Sequence, residues 1–136
     1  MALFGQEHVQ RYLQTDGEVG HEWEGTKTLL LTTTGRKSGE QRTHPLIYGR
    51  HGEDYVIVAS KGGNPQHPAW YLNLEANPDV EVQVLGDRFA ATARTATAAE
   101  KAEVWPAMTA EWPDYDAYQR RTDREIPVVL LSRRDG

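Results

Sequence analysis

The segment Thr32-Thr33-Thr34-Gly35-Arg36-Lys37-Ser38-Gly39-Glu40-Gln41-Arg42 gathers more usable chemistry than any other stretch of the chain. Arg36, Lys37 and Arg42 supply positive charge and Ser38 a hydroxyl. Gly35 and Gly39 permit a tight turn that presents backbone N–H groups, a combination suited to phosphate or carboxylate oxygens. It is not a Walker A loop, because Lys37-Ser38 follows Arg36 and the GxxxxG spacing is absent. Nor is it a dinucleotide fingerprint, because a strand is expected where a helix should open. The residues alone leave two readings open, an anion site and a polar hairpin tip.

Three further constellations carry chemistry. In Val56-Ile57-Val58-Ala59-Ser60-Lys61-Gly62-Gly63-Asn64 an apolar strand runs into a Gly-Gly loop, where a flat ligand can approach the backbone; an ordinary loop is the alternative. Ser60 lacks the G-x-S-x-G context of a hydrolase nucleophile. His67-Pro68-Ala69-Trp70-Tyr71-Leu72-Asn73-Leu74 either walls a pocket with aromatic rings or packs on a sheet. In Trp112-Pro113-Asp114-Tyr115-Asp116-Ala117-Tyr118 the two tyrosines share one helical face, as pocket phenols able to donate a hydrogen bond or a proton, or as packing.

Composition removes several function classes. There is no cysteine, so disulfides, thiolate nucleophiles, Fe–S clusters and cysteine-ligated zinc are out. The five histidines show no metal-binding pair such as HExxH, and no metal site is expected. The formal charge of −5 argues against a dedicated nucleic-acid binder. Residues 36–50 nevertheless hold four cations against Glu40 alone, so a positive island sits in an acidic chain. No apolar run approaches the roughly 20 residues of a membrane span and no leader is visible, so a cytoplasmic protein is expected.

The elements that must position these groups follow from periodicity. One domain over 1–136 is expected, with a helix over Leu3–Leu13 and a loop over Gln14–Gly25 forming its N-terminal part. Strands are predicted over Thr26–Thr34, Thr43–Tyr48, Tyr55–Ser60, Val80–Leu85, Arg88–Thr95 and Ile126–Leu131. The intervening turns are Ser38-Gly39-Glu40, Gly49 through Asp54, and Gly86-Asp87. Helices are predicted over Pro68–Leu74 and from the capping box Thr97-Ala98-Ala99-Glu100, the second kinking or stopping near Pro106. Asp114 is placed as the cap of a further short helix. The result is a mainly β, α+β fold: a small barrel of about six antiparallel strands in a meander, with three or four short helices.

Taken together and in order, T-T-G-R-K-S-G, V-A-S-x-G-G, P-A-W-Y-L-N-L and W-P-D-Y-D-A-Y-Q-R-R-T-D-R-E-I-P-V resemble the deazaflavin-dependent nitroreductase family, in its F420H2-dependent quinone reductase branch. The resemblance spans Thr28 to Leu131. It implies a split β-barrel and an F420-dependent oxidoreductase that passes a hydride to a quinone, an activated enone or lactone, or a nitroaromatic. It implies that Arg36, Lys37, Ser38 and Arg42 hold the cofactor's phosphate and polyglutamate tail. Thr43, His44, Pro45 to Ile47 (with Leu46), Val58, Ala59, Ser60, Lys61, Ala69, Trp70, Tyr71, Leu72 and Asn73 would line its ring system, with Tyr115 nearby. Tyr115, Ser60 and Tyr118 would address the acceptor in a pocket shaped by Trp112. The nitroimidazole-activating relative has a third tyrosine where this chain has Trp112, which puts nitroimidazole activation in doubt. A monomer is expected. In relatives the N-terminal segment can touch the membrane, but Arg11 against Glu7 and Asp16 is poor for anionic lipid and allows at most weak peripheral contact. A non-catalytic F420 carrier and an FMN-binding split-barrel enzyme are the alternatives.

Overall fold

The computed structural model describes residues 5–134. In chain order its elements are α1 (Gly5–Thr15), β1 (Glu22–Trp23), β2 (Thr26–Thr34), β3 (Gln41–Ile47), β4 (Gly49–His51), β5 (Asp54–Val58), α2 (Ala69–Ala76), β6 (Asp79–Val84), β7 (Asp87–Thr95), α3 (Ala98–Glu111), α4 (Asp114–Arg121) and β8 (Val128–Arg133). A single 3-10 turn, Lys61–Gly63, lies between β5 and α2. Leu3 and Phe4 of the expected first helix lie outside the described residues.

All strand pairs are antiparallel, in the order β1-β2-β6-β7-β8-β5-β4, with β3 paired to the other edge of β2. Only Tyr48 separates β3 from β4. Because consecutive Cα atoms are about 3.8 Å apart, that single residue brings the two ends of the sheet together and curls it. Counting β3 and β4 as one bent strand gives seven, the six expected and the two-residue β1, which was not expected. The connectivity is not a simple meander, because β8 returns between β7 and β5. The expected long turn over Gly49–Asp54 shrinks to Gly52-Glu53, since His51 already pairs with Asp54. Gly49 pairs with Val56 as part of β4, and the close approach of α3 requires glycine there: a Cβ would meet the Met108 sulfur at 2.6 Å.

Alternation sorts the core into layers. Leu29, Leu31, Ile57, Val80, Val82, Phe89, Ala91, Val129 and Leu131 line the barrel interior, which α2 enters with Trp70, Tyr71 and Leu74. The outward residues Val56, Val58, Val128 and Leu130 are covered by Val104 and Met108 of α3 and Tyr115 of α4. Both faces of β5 and β8 are therefore dry, which explains their unbroken apolar runs. Each such fully buried aliphatic side chain contributes about 1.5–3 kcal/mol.

Two helix expectations need correction. α3 opens on the expected reciprocal bonds, Glu100 N to Thr97 Oγ1 at 3.2 Å and Thr97 N to Glu100 Oε1 at 2.9 Å. It then runs unbroken through Pro106. Pro106 and Ala102 are both exposed, so the ring and the carbonyl it deprives of a donor lie on the wet side. Pro113, not Asp114, is the N-cap of α4, and Asp114 sits in its first turn.

α1 seals the outer face of β2. The Tyr12 ring is 0% exposed. Its hydroxyl donates to Thr28 O at 3.1 Å and accepts from Leu85 N at 2.7 Å. Leu85 has φ +55°, a left-handed conformation costly for a branched side chain, and this bond holds it there. Tyr12→Phe should therefore cost about 1–2 kcal/mol in urea denaturation, the range for leaving a buried donor unpaired. A loss under about 0.5 kcal/mol would show that the phenol does not hold the turn.

Candidate functional site

The β2–β3 hairpin builds its tip from the backbone outward. Gly35 N donates to Glu40 O at 2.7 Å, Gly39 N to Gly35 O at 2.9 Å, and Glu40 N to Ser38 Oγ at 3.1 Å. Gly39 turns at φ +73°. Arg36, Lys37, Ser38 and Arg42 are all exposed on this tip. Lys37 has no ion pair or hydrogen bond with any described residue. Arg42 meets Glu40 at 3.1 Å with both side chains about two-thirds exposed, a pair too well solvated to hold the guanidinium against a stronger anion. Arg36 is the tethered member: its Nη1 and backbone N donate to Asn73 Oδ1 at 2.8 and 3.2 Å. Asn73 is 5% exposed and also reaches Thr33 Oγ1, at 3.5 Å.

Down the same strand, β3 passes from charge to apolar surface. Thr43 Oγ1 pairs with Thr32 Oγ1 at 2.8 Å. His44, Pro45, Leu46 and Ile47 then line a cavity of about 370 Å³, together with Gly5 and His8 of α1, Trp23 and Thr28. His44 Nδ1 is buried with no hydrogen-bond partner among the described residues. Burial, then the Arg42 charge, lower the pKa of this imidazole, so it stays neutral at pH 7. A somewhat larger cavity, about 410 Å³, lies on the outer face of β2, β6 and β7 among Thr32, Thr43, Glu81 and Arg88. It lies away from Pro45, Leu46 and Ile47, and the smaller cavity that they line is the more apolar of the two.

The Ser60 turn is arranged differently from expectation. Lys61, Gly62 and Gly63 all have positive φ, at +46°, +63° and +80°. A Cβ on Gly63 would meet Tyr118 O at 2.6 Å, so this glycine admits the backbone of α4 and not a ligand; Gly62 faces open space. Beneath the turn lies Arg124, which the sequence reading did not single out. It donates to Ala59 O at 3.1 Å, Ser60 O at 2.7 Å, Asn64 O at 3.0 Å and His67 Nδ1 at 2.9 Å. Its only sequence signal was membership of the T-D-R-E-I-P-V stretch, since backbone carbonyls leave no pattern in a sequence.

The aromatic residues divide into core and wall. Trp70 and Tyr71 are buried in the barrel, with the Tyr71 hydroxyl 2.7 Å from Thr95 Oγ1, so the structure uses them for packing. Ala69 is exposed and Leu72 half-buried. On the other side, Trp23, which lines the cavity, meets Trp112 in a tilted contact with ring centroids 5.5 Å apart. Trp112 Nε1 donates to the Tyr118 hydroxyl at 3.3 Å, and the Tyr118 ring meets Tyr115 edge-on at 6.2 Å. Trp23, Trp112, Tyr118 and Tyr115 thus form one continuous wall. Trp23 escaped notice because it stands on a strand only two residues long. Tyr115 is 5% exposed, and burial, with Tyr118 a lesser cause, raises its pKa well above the ordinary phenol value. Val58 packs against the same ring cluster, and Ala59 is fully buried behind Ser60.

Comparison with known proteins gives this arrangement a context. The sequence model of the F420H2-dependent quinone reductase family matches residues 4–133. An F420H2-dependent quinone reductase of Mycobacterium tuberculosis is 46% identical over 131 residues, covering 93% of this chain and 88% of the relative. The solved structure of an F420H2-dependent reductase is 42% identical, with a TM-score of 0.71 over 77% of this chain and 93% of its own. A domain-swapped dimer is 38% identical, with a TM-score of 0.74 over 93% and 96%.

The Arg36–Asn73 tether is open to direct test. In Asn73→Ala the hairpin tip loses its link to α2, and limited trypsin digestion at Arg36 and Lys37 should become at least about fivefold faster, the effect of losing roughly 1 kcal/mol of local hydrogen bonding. Cleavage at the wild-type rate would mean that the tip is held by its own turn.

Proposed function

The chain belongs to the F420H2-dependent quinone reductase family, and from that membership we propose that the hairpin tip grips the phosphate and polyglutamate tail of F420 while the cavity beside Pro45–Ile47 receives its ring. The protein is an F420-dependent oxidoreductase. When bound, F420H2 supplies a hydride from C5 of its reduced ring. The observation that carries the assignment is the continuity of β3, which runs from an exposed cationic tip with an unpaired Lys37 to an apolar cavity of about 370 Å³. The residues fit such a group: a multiply anionic tail finds cations without buried counter-charges, and a flat ring finds apolar walls near the unpartnered His44.

The acceptor is a quinone held against the wall of Trp112, Tyr115 and Tyr118, with Ser60 toward its polar oxygen. Charge develops on that oxygen as hydride arrives at the ring, and a hydroxyl already in place stabilises it. Tyr115 acts as a hydrogen-bond donor and not as the acid. Its pKa is raised above that of an ordinary phenol, and the product hydroquinone is an ordinary phenol, so proton transfer between them is uphill. The one proton that completes the hydroquinone comes from solvent. Trp112 offers its one N–H to Tyr118 and has none left for a nitro group, which supports quinones and activated enones over nitroimidazoles. No helix among the described residues is long and apolar enough to cross a membrane.

Titration of the protein with oxidised F420, FMN and FAD in separate experiments should show binding of F420 alone; tight FMN binding without F420 binding would overturn the assignment. Lys37→Ala should weaken F420 binding about tenfold at low salt, an effect that fades as salt screens the tail. Tyr115→Phe should leave F420 affinity within about twofold and lower the turnover of F420H2 with menadione about tenfold or more. Full activity of Tyr115→Phe would remove the phenol from the mechanism.

A further inference from the structure

We propose that Arg124 is the positioning residue of the Ser60–Lys61 turn, and that His67 locks it in place through the Arg124 Nη1–His67 Nδ1 hydrogen bond. The proposal rests on the acceptor-side role given to Ser60 above. Arg124 uses all three of its nitrogens on four neutral acceptors: the carbonyls of Ala59, Ser60 and Asn64, and the His67 imidazole. No described carboxylate lies within ion-pair distance of it, although the side chain is partly buried, and burial disfavours its charge. A surface arginine ordinarily finds a carboxylate or water. This one is committed to a single loop.

The commitment changes what the turn shows to a ligand. A tight turn exposes carbonyl oxygens as readily as N–H groups, and carbonyl lone pairs beside a quinone oxygen gaining negative charge would oppose reduction. With the carbonyls of residues 59, 60 and 64 facing the guanidinium, the Ser60 hydroxyl and the Lys61 ammonium have no hydrogen-bond partner among the described residues, and the uncompensated charge of Arg124 lies behind them. Lys61 is held at φ +46°, a conformation that a non-glycine residue abandons when its surroundings no longer impose it.

His67 accepts at Nδ1, so that nitrogen must carry no proton. An imidazolium would set one N–H against another. The groups facing His67 are Arg124 from the segment before β8, and the Tyr71 ring at 4.9 Å and Glu75, both from α2. Burial and then Arg124 lower its pKa from 6.5, with Glu75 opposing. The sign follows: the unfolded chain takes up the proton first, so the stabilisation is complete above pH 6.5 and is lost as pH falls through the lowered folded value.

The test uses the full chain. In Arg124→Lys a single ammonium cannot reach four acceptors. Amide hydrogen exchange at Gly63 and Asn64, whose N–H groups close the turn on Ser60 O and Lys61 O, should accelerate at least tenfold while the β2–β3 amides stay unchanged. With F420H2 and menadione, kcat should fall about thirtyfold while the F420 dissociation constant stays within about threefold, since the tail is held on the other hairpin. His67→Gln keeps an acceptor and removes the titration; its kcat at pH 8 should match wild type within twofold, and the acid limb of the kcat–pH profile should move down by at least one pH unit. Unchanged exchange in Arg124→Lys overturns the clamp whether or not the protein turns over a quinone. An unmoved acid limb in His67→Gln overturns the lock. Accelerated exchange with unchanged kcat overturns the positioning role and leaves the clamp as architecture. If Arg124→Lys does not fold, His67→Ala, which removes one acceptor only, must show the same local acceleration, and its absence overturns the proposal. A wild-type protein that binds F420 but reduces no quinone or enone would sink the catalytic reading separately, with the exchange result still decisive for the clamp.

Discussion

Everything at the site depends on a single covalent constraint, the passage of the chain from β3 to β4 through Tyr48. A curled antiparallel sheet has two free edges, and exposed edges invite pairing with other chains. Here one strand serves both edges, pairing with β2 along its first part and with β5 along its second. The same bend sets β3, which carries the cationic tip and His44 through Ile47, near β5, which leads into Ser60. Tyr48 itself is half-buried, meets the His21 ring at a tilt and the Tyr55 ring edge-on, and bonds His21 Nε2 at 2.9 Å. Closure and site assembly are one event.

Helices supply what the barrel cannot. α2 fills the interior and lends Asn73 to the hairpin tip. α3 and α4 dry the outer face of β5 and β8, and their junction carries the aromatic wall. Arg124 then ties the start of β8 back to the turn leaving β5. Asn73 and Arg124 are the polar joints, and each bonds at least one backbone group, which fixes where the chain runs as well as where a side chain points.

Much of this was legible from residue order. β-branched and apolar runs marked β2, β5, β6, β7 and β8 to within two residues at most ends, and Thr97 with Glu100 marked the start of α3. Other features were hidden for identifiable reasons. Two-residue β1 is too short for any periodicity, so Trp23 went unread. Pro106 looks like a helix terminus until its wet surroundings are known. Gly62-Gly63 reads as a place for a ligand, and only the packing of α4 shows that Gly63 is filled from below. Trp70 and Tyr71 look the same in sequence whether they wall a pocket or plug a barrel. Asn73 and Arg124 act across 37 to 65 residues of chain, a distance at which one sequence carries no pairing information.

The aromatic wall lies at the corner between α3 and α4, outside the barrel and joined to the cavity through the contact of Trp23 with Trp112. The cationic tip lies on a hairpin built from β2 and β3. The two share no strand, so mutations in one need not disturb the folding of the other. With the cofactor and acceptor held as proposed, such a layout separates what must stay constant over evolutionary time, possession of a common electron carrier, from what selection can vary freely. A lineage carrying many paralogues of this scaffold could diversify the compounds it reduces by changing a handful of corner residues, with every copy still drawing on the same pool of reducing power.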